Sequence, residues 1–583
     1  MPSTWVPVPG KRRRVGMPKV RTGCLTCEGR RVKCNEVKPR CGGCAHLDLE
    51  CLYVRRKLSA ARPLLPLPEA DHVRRGHVIA NKDLPTPESV TVVTLPGFTT
   101  LCFRNEAESR YFKIFKESAA PELSGYFDTN VWTRTILQVC HAEPFALHAV
   151  IAIGALHTAI STAQNHSPLH PSIRRKQGEV HHAFALQQYA TALHFMRQLP
   201  LQEKSEPSFR RTLISCLLTT CFENYVGNSD SALVSAQHGI NILVELERAI
   251  YPKFSPRHTH LSYFLHTLSA DDLDLFSTFV RLETVVILFR HMIVAPDPAA
   301  TSTPGLTLGS DGSPDSLRFL DMPEVFESLT QAQFCWVLSI KRVFQWQGAC
   351  MESGFSCVEG AEAEKQQQRQ QELIRLGALM YAEARERWLR AFQPLFDRSR
   401  KRKGSKEFCG ASLLMIQFLS LGILTSTEGR QSELCWDVCL PDHIALVDLA
   451  AELLESIASP ASKHSRTEKR HAVFIFDDGL LARLNQVATR CRNSEVRRRA
   501  LSLLQKHPRR EGLWDSEMAA KVSAWVIEKE EAAMVNGYVP ETARLRIESM
   551  RLSLADRRVM FSYSKLMVIG EERIVLPEVQ LRW

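Results

Sequence analysis

Six cysteines fall within 29 residues: Cys24, Cys27, Cys34, Cys41, Cys44 and Cys51. The other eleven of the chain's 17 cysteines are scattered singly. The intervening spacings of 2, 6, 6, 2 and 6 make the stretch a duplicated C-x2-C-x6-C unit. One tetrahedral zinc takes four ligands and would leave two thiols idle. Two zincs need eight ligand positions, and six thiolates supply eight when two of them bridge. The repeat points to the first cysteine of each half, Cys24 and Cys41, as the bridges. Cys27 and Cys34 then complete one zinc, and Cys44 and Cys51 the other. A disulfide framework is the alternative, but "MPSTWVPVPGKRRR" has no apolar leader segment, so a reducing compartment is expected. Iron–sulfur chemistry uses four thiols in other spacings.

So short a segment buries little apolar surface. Leu25, Val32, Leu47 and Leu49 form a thin core, so metal must supply most of the folding free energy. Charge is concentrated in the same region. Residues 1–57 hold 14 Lys and Arg against four acids, a balance of +10 out of +11 for all 583 residues. The first tenth of the chain suits a polyanion, and the remainder is nearly neutral.

This pattern, with basic residues between the second and third cysteines and Pro39 before the fourth, resembles the fungal zinc binuclear cluster transcription factors. The resemblance implies two Zn2+ per chain, held by the bridging arrangement above, with each half a short helix followed by an extended strand. It implies double-stranded DNA as partner, the first half-helix in the major groove reading a CGG-like triplet. Within "EGRRVK", Arg31 matches the base-reading position, with Arg30 and Lys33 beside it. Relatives mostly carry lysine there; arginine offers a bidentate bond to guanine O6 and N7. Arg21, Lys38 and Arg40 are assigned to phosphates, which position the domain without selecting sequence. Glu28 and Gly29 depart from the usual basic run. Glu28 would repel a phosphate, and Gly29 weakens the helix by about 1 kcal/mol relative to alanine.

Four segments follow: a basic tail (1–19), the cluster domain (20–57), a linker (58–99) and a helical body (100–583). Pro63, Pro66, Pro68, Pro85, Pro87 and Pro96 punctuate the linker, and no heptad pattern marks a coiled coil there. Any homodimer is therefore expected to form through the body. "KRRR" (Lys11 to Arg14) suits a nuclear signal or a DNA-contacting arm, whereas Arg398 to Lys406 reads as a solvated charge run. The body repeats apolar residues at three- and four-residue steps, as in "EPFALHAVIAIGALHTAISTA", so the chain is expected to be mainly α. "RRVMFSYSKLMVIG" stays unassigned. No run of 18 apolar residues argues for a membrane span.

The body also resembles the fungal-specific regulatory region that accompanies this cluster, through "ESRYFKIF", "APELSGYFD", "HAVIAIGALH" and "FALQQYATAL". "VATRCRNSEVRRRALSLLQKHPRREGLWDS" resembles one branch of such regulators, which implies control of a biosynthetic gene cluster. A nuclear regulator of RNA polymerase II transcription follows from the resemblance, with co-regulators or the transcriptional machinery as partners. Catalysis is not expected: the body has no P-loop, G-x-G-x-x-G, G-x-S-x-G or H-E-x-x-H motif. His148 and His157 read as core histidines, His181 and His182 as pointing apart, and Cys216, Cys221, Cys435 and Cys439 as packing residues.

Overall fold

The computed structural model describes residues 26, 32, 34–35, 37, 40–47, 101–127, 130–164, 171–199, 206–250, 269–293, 322–352, 361–427, 432–458, 473–476, 479–554, 556–567 and 573–583. The chain divides into two compact units, Met1–Thr94 and Leu95–Trp583. In the first, the described residues include one helical turn, α1 (Gly42–Ala45).

The second unit is helical, as the periodicity leads one to expect. It opens on α2 (Glu106–Ile114), where Asn105 Oδ1 accepts from the Glu108 amide at 2.9 Å and the Glu108 carboxylate accepts from the Arg104 amide at 2.8 Å. These two bonds satisfy amides at a helix start that have no partner within the helix. A π turn (Phe115–Ala119) leads into α3 (Ala120–Leu123), and a second (Val131–Thr135) into α4 (Ile136–Val139). Then come α5 (Pro144–Gln164), α6 (Pro171–Met196), α7 (Glu206–Val226) and α8 (Ser229–Ile250). At Gly154 a Cβ would lie 2.2 Å from the Tyr111 carbonyl, so only glycine lets α2 rest on α5 at this distance. Gly227, at φ +90°, ends α7 and lets the chain reverse into α8.

The middle of the unit holds α9 (Ala270–Ile293), α10 (Leu329–Glu352), α11 (Ala361–Arg400) and α12 (Lys406–Thr427). They meet on fully buried tryptophans. Trp388 lies 4.9 Å from Trp336 and 5.6 Å from Phe418, and its indole N–H donates to the Ala332 carbonyl at 2.9 Å. Two helical stretches, Pro144–Thr162 and Lys406–Thr427, are long and apolar enough to cross a membrane, although no such span is expected from the sequence. Both are largely buried inside the protein, which accounts for apolar residues all round them. The basic run after Arg398 is not a free loop. Arg398 pairs with Glu407 at 3.0 Å and Lys403 with Glu452 at 2.5 Å, and the chain turns at Gly404 (φ +81°).

A 3-10 helix (Glu433–Cys439) and α13 (Leu440–Ala458) precede the C-terminal region, in which α14 (Leu481–Arg490), α15 (Ser494–Lys506) and α16 (Ser516–Glu531) interleave with strands. β1 (Val473–Ile475) pairs parallel with β2 (Arg509–Glu511), and β2 antiparallel with β3 (Trp514–Asp515). β4 (Leu545–Ser553), β5 (Arg558–Leu566) and β6 (Arg573–Arg582) form an antiparallel sheet with β5 central. The body is thus not helical throughout. The unassigned "RRVMFSYSKL" is β5, and its alternation is that of a half-buried strand: Val559 and Phe561 are fully buried between less buried neighbours. Trp525 of α16 packs edge-on against Phe561 and Tyr563, at 5.2 and 5.0 Å.

Candidate metal centre and nucleic-acid interface

Among the described residues of the first unit, burial runs opposite to that of an ordinary core. Cys41 and Cys44 are fully buried, while Val32, Val37 and Leu47 are 47%, 55% and 55% exposed. A segment that turns thiols inward and aliphatics outward is organised around what the thiols bind, not around apolar contact. Cys41 occupies the N-cap of α1 with extended backbone (φ −70°, ψ 150°), and its carbonyl accepts from the amides of Cys44 and Ala45 at 3.0 and 2.9 Å. That single turn fixes the two thiols of the C-x2-C pair on one side. The Cys41 side chain makes no capping bond.

Asn35 takes that task. Its Oδ1 accepts from the Gly42 amide at 2.9 Å, seven residues along the chain. The bond ties the end of the first cysteine repeat to the start of the second, so the residue after Cys34 is held against the residue after Cys41. A Cβ on Gly42 would come within 2.7 Å of the Asn35 Nδ2. Sequence reasoning missed Asn35. The available signal was an Asx residue placed to cap a helix whose own N-cap position is a cysteine.

The donor set fits zinc: soft thiolates at tetrahedral-site spacing, two of them buried. Cys34 is half-buried. Cys24, Cys27 and Cys51 lie outside the described residues, as do Arg21, Arg30, Arg31, Lys33 and Lys38. Among the described residues no three potential ligands gather. The two-bridge arrangement gives each zinc only two described cysteines, Cys34 with Cys41 and Cys41 with Cys44. Arg40, the one proposed phosphate contact that is described, is exposed directly beside Cys41.

In the second unit His148, His157 and His181 and the cysteines singled out from the sequence are buried or half-buried, whereas His182 is exposed. His148 is buried, with Nδ1 2.6 Å from Gln188 Oε1. Gln188 Nε2 in turn donates to Glu108 at 3.2 Å, which fixes the amide orientation and puts the proton on His148 Nδ1. His181 Nδ1 lies 2.6 Å from the Tyr111 hydroxyl, and His157 Nδ1 3.9 Å from Glu122. Burial pushes the thiol of Cys216 up to about 11 and that of Cys221 well above its ordinary range. Cys439 Sγ lies 3.3 Å from Ser426 Oγ.

The segment 487–516, singled out by resemblance, is a set of ties. Arg497 donates to Glu530 at 2.7 Å, Arg499 to Asp448 at 2.7 Å, and Arg510 to the carbonyls of Asn224 and Tyr225 at 2.6 and 3.2 Å. Asn493 caps α15 and Asp515 caps α16. These three arginines reach α16, α13 and α7, so the segment ties separate elements of the body together.

Comparison with known proteins agrees with both halves of this picture. Residues 22–60 match the family model of the fungal Zn(2)-Cys(6) binuclear cluster domain, and residues 110–269 that of the fungal specific transcription factor domain. Over these two stretches the chain is similar to the family of fungal zinc binuclear cluster transcription factors. That is a family of DNA-binding, zinc-binding transcription regulators, and nuclear location is typical of it. Among its relatives, the aspercryptin biosynthesis cluster-specific transcription regulator atnN of Emericella nidulans is 26% identical over 229 residues, covering 39% of this chain and 35% of the relative. The Zn(2)-C6 fungal-type transcription factor afumD of Aspergillus fumigatus is 25% identical over 144 residues, covering 25% and 34%. The sterol uptake control protein 2 of Candida albicans is 52% identical over 40 residues, 7% of this chain and 6% of that protein. The chain therefore matches about a third or less of the length of these relatives. No solved structure matches.

Proposed function

We propose that the protein is a nuclear, sequence-specific regulator of RNA polymerase II transcription that binds CGG-like half-sites and controls a biosynthetic gene cluster. The observation that carries this reading is the six-cysteine repeat, of whose described thiols Cys41 and Cys44 are fully buried and Cys34 half-buried, with the exposed Arg40 next to Cys41 in sequence. Residues 1–19 form a basic tail, 20–57 the DNA-binding cluster, 58–99 a linker and 100–583 a regulatory body without catalytic function. Cys24 and Cys41 bridge two zincs; Cys27 and Cys34 complete one, and Cys44 and Cys51 the other. Thiolate ligation supplies the folding free energy of the unit. Arg31 reads guanine with Arg30 and Lys33 beside it, and Arg21, Lys38 and Arg40 hold phosphates. The aspercryptin cluster-specific name of one relative supports the pathway class. Co-regulators and any second copy bind through the body.

Selection from a random DNA library by the full-length protein tests the reading. Enrichment of a CGG-type triplet is expected. In Arg31→Ala that preference should fall by about 1–3 kcal/mol with selectivity relaxed at one base. Retention of DNA with no enriched sequence would favour a cluster that Glu28 and Gly29 have deprived of selectivity.

A further inference from the structure

Between α16 and β4 the chain reverses through Val535, Asn536, Gly537 and Tyr538. Val535 and Tyr538 exchange both backbone hydrogen bonds at 2.9 Å, and the two residues between them have positive φ, 49° at Asn536 and 79° at Gly537. This is the type I′ turn that favours an asparagine followed by a glycine, because both central positions are left-handed. Asn536 and Gly537 are exposed, and the flanking Val535 and Tyr538 are 61% and 50% exposed, so opening the turn uncovers little apolar surface. The chain is fastened directly beyond it. Val539 is fully buried and its carbonyl accepts from Arg544 Nε at 3.0 Å. Arg544 also donates to the Glu433 carbonyl at 3.0 Å and to Asp437 at 2.8 Å, with its guanidinium 5.2 Å from the centre of the Tyr538 ring.

No other asparagine of the chain is followed by glycine. The two bonds that close the turn use neither the Asn536 side chain nor the Gly537 amide. A Cβ at Gly537 would meet nothing within 4 Å, so no neighbouring group shields that amide. The two asparagines followed by serine are placed differently. Asn493 Oδ1 accepts from the Glu495 and Val496 amides at 3.1 Å, and Asn228 Nδ2 donates to Glu223 and Ser231 at 2.9 Å. We propose that Asn536 is a site of spontaneous deamidation, a modification that opens this turn. The Gly537 amide nitrogen, its proton taken by hydroxide, bonds to Asn536 Cγ, and Nδ2 leaves as ammonia. Ring closure needs rotation about the Asn536 Cα–C bond, which local opening of so exposed a turn permits. Water then opens the five-membered imide at either carbonyl. Breaking the new Cγ–N bond gives aspartate in an unchanged main chain. Breaking the original peptide C–N bond gives isoaspartate, whose main chain runs through Cβ and Cγ and is one carbon longer. Asparagine and water thus become an acid and ammonia; one negative charge is added and nothing is oxidised. The longer chain does not fit a two-residue turn, so Val535 and Tyr538 separate and Tyr538 leaves Arg544. The body thereby acquires an age-dependent change where α16, β4 and the 3-10 helix meet.

The test incubates the full-length protein at neutral and at mildly alkaline pH and follows every asparagine by peptide mass spectrometry. Asn536 should convert first, and faster at the higher pH because the attacking amide must lose a proton, while Asn228 and Asn493 stay intact. Protein isoaspartate methyltransferase should label the same peptide. In the aged protein the amides of Val535 and Tyr538, protected from hydrogen exchange at the start, should lose that protection. Asn536→Gln, whose attack requires a larger ring, should lose the labelled product. The parent time course needs no variant, so the outcome does not depend on how Asn536→Gln folds. Conversion at Asn536 no faster than at Asn228, or an Asn536 peptide that takes no label, would overturn the proposal. Conversion with Val535 and Tyr538 still protected would overturn the opening of the turn.

Discussion

Asn35→Ala removes the side-chain oxygen that caps α1 from the opposite cysteine repeat. Cys41 contributes no capping bond of its own, so the Gly42 amide would be left to solvent. Loss of an Asx cap costs about 1 kcal/mol. In a unit whose folding and metal binding are one equilibrium, that cost appears directly as weaker zinc affinity. About 1 kcal/mol corresponds to roughly a fivefold change in an equilibrium constant. The assay is chelator competition on the full-length protein, with released zinc followed colorimetrically and total zinc per chain measured by elemental analysis. The half-release chelator concentration should fall about fivefold in Asn35→Ala. Asn35→Asp should recover most of it, since it keeps the acceptor and places a negative charge at a helix N-terminus. Gly42→Ala, which drives a methyl against the Asn35 amide, should lose affinity in the same direction and add little to Asn35→Ala, because both break one contact. If Asn35→Ala released zinc at the parental chelator concentration, the bond between the repeats would have no part in holding the metal.

Glu530→Gln should destabilise the body by about 3–5 kcal/mol in chemical denaturation, because Arg492 and Arg497 would then share a buried site with no charge of opposite sign on that residue. His443 is fully buried and its pKa is lowered from 6.5 to about 4, so below pH 6.5 the unfolded chain takes up a proton that the folded one refuses. Stability is therefore fully present above pH 6.5 and falls by roughly 3 kcal/mol as pH drops through 4. Glu122, raised to about 7 by burial against a smaller opposing bond from the Phe474 backbone, acts in the other sense: its contribution is present below pH 4.5 and is lost as pH rises through 7. The difference between parent and His443→Phe isolates the histidine, and that difference should grow between pH 6.5 and 4; a constant difference would refute it.

How far the sequence discloses the molecule depends on whether a feature is local. Cysteine spacing is local: ligand count and tetrahedral geometry turn six positions into a two-metal hypothesis without any fold, and the inward turn of Cys41 and Cys44 agrees with it. Helical signals are local too: recurring apolar residues at three- and four-residue steps mark the body as helical, although α5 and α12 are apolar all round. The sheet at β4–β6 escaped because two of its strands carry weak alternation. β4 reads Leu-Arg-Ile-Glu-Ser-Met-Arg-Leu-Ser with a register shift between Ile547 and Ser549, and β6 contains Pro577 next to another irregularity. Each shift turns later side chains to the opposite face and erases the two-residue period. The arginine cluster around Glu433 escaped for a different reason. Arg490, Arg546 and Arg573 are far apart in sequence and each sits in an ordinary charged context, so nothing in any window marks them. Only closure of the sheet on α14 and the 3-10 helix brings them around Glu433, whose carboxyl burial would raise but which Arg490, Arg492 and Arg546 hold at about 2. The cysteine repeat is written in short spacings, and the arginine cluster of the body is written in contacts that exist only after folding.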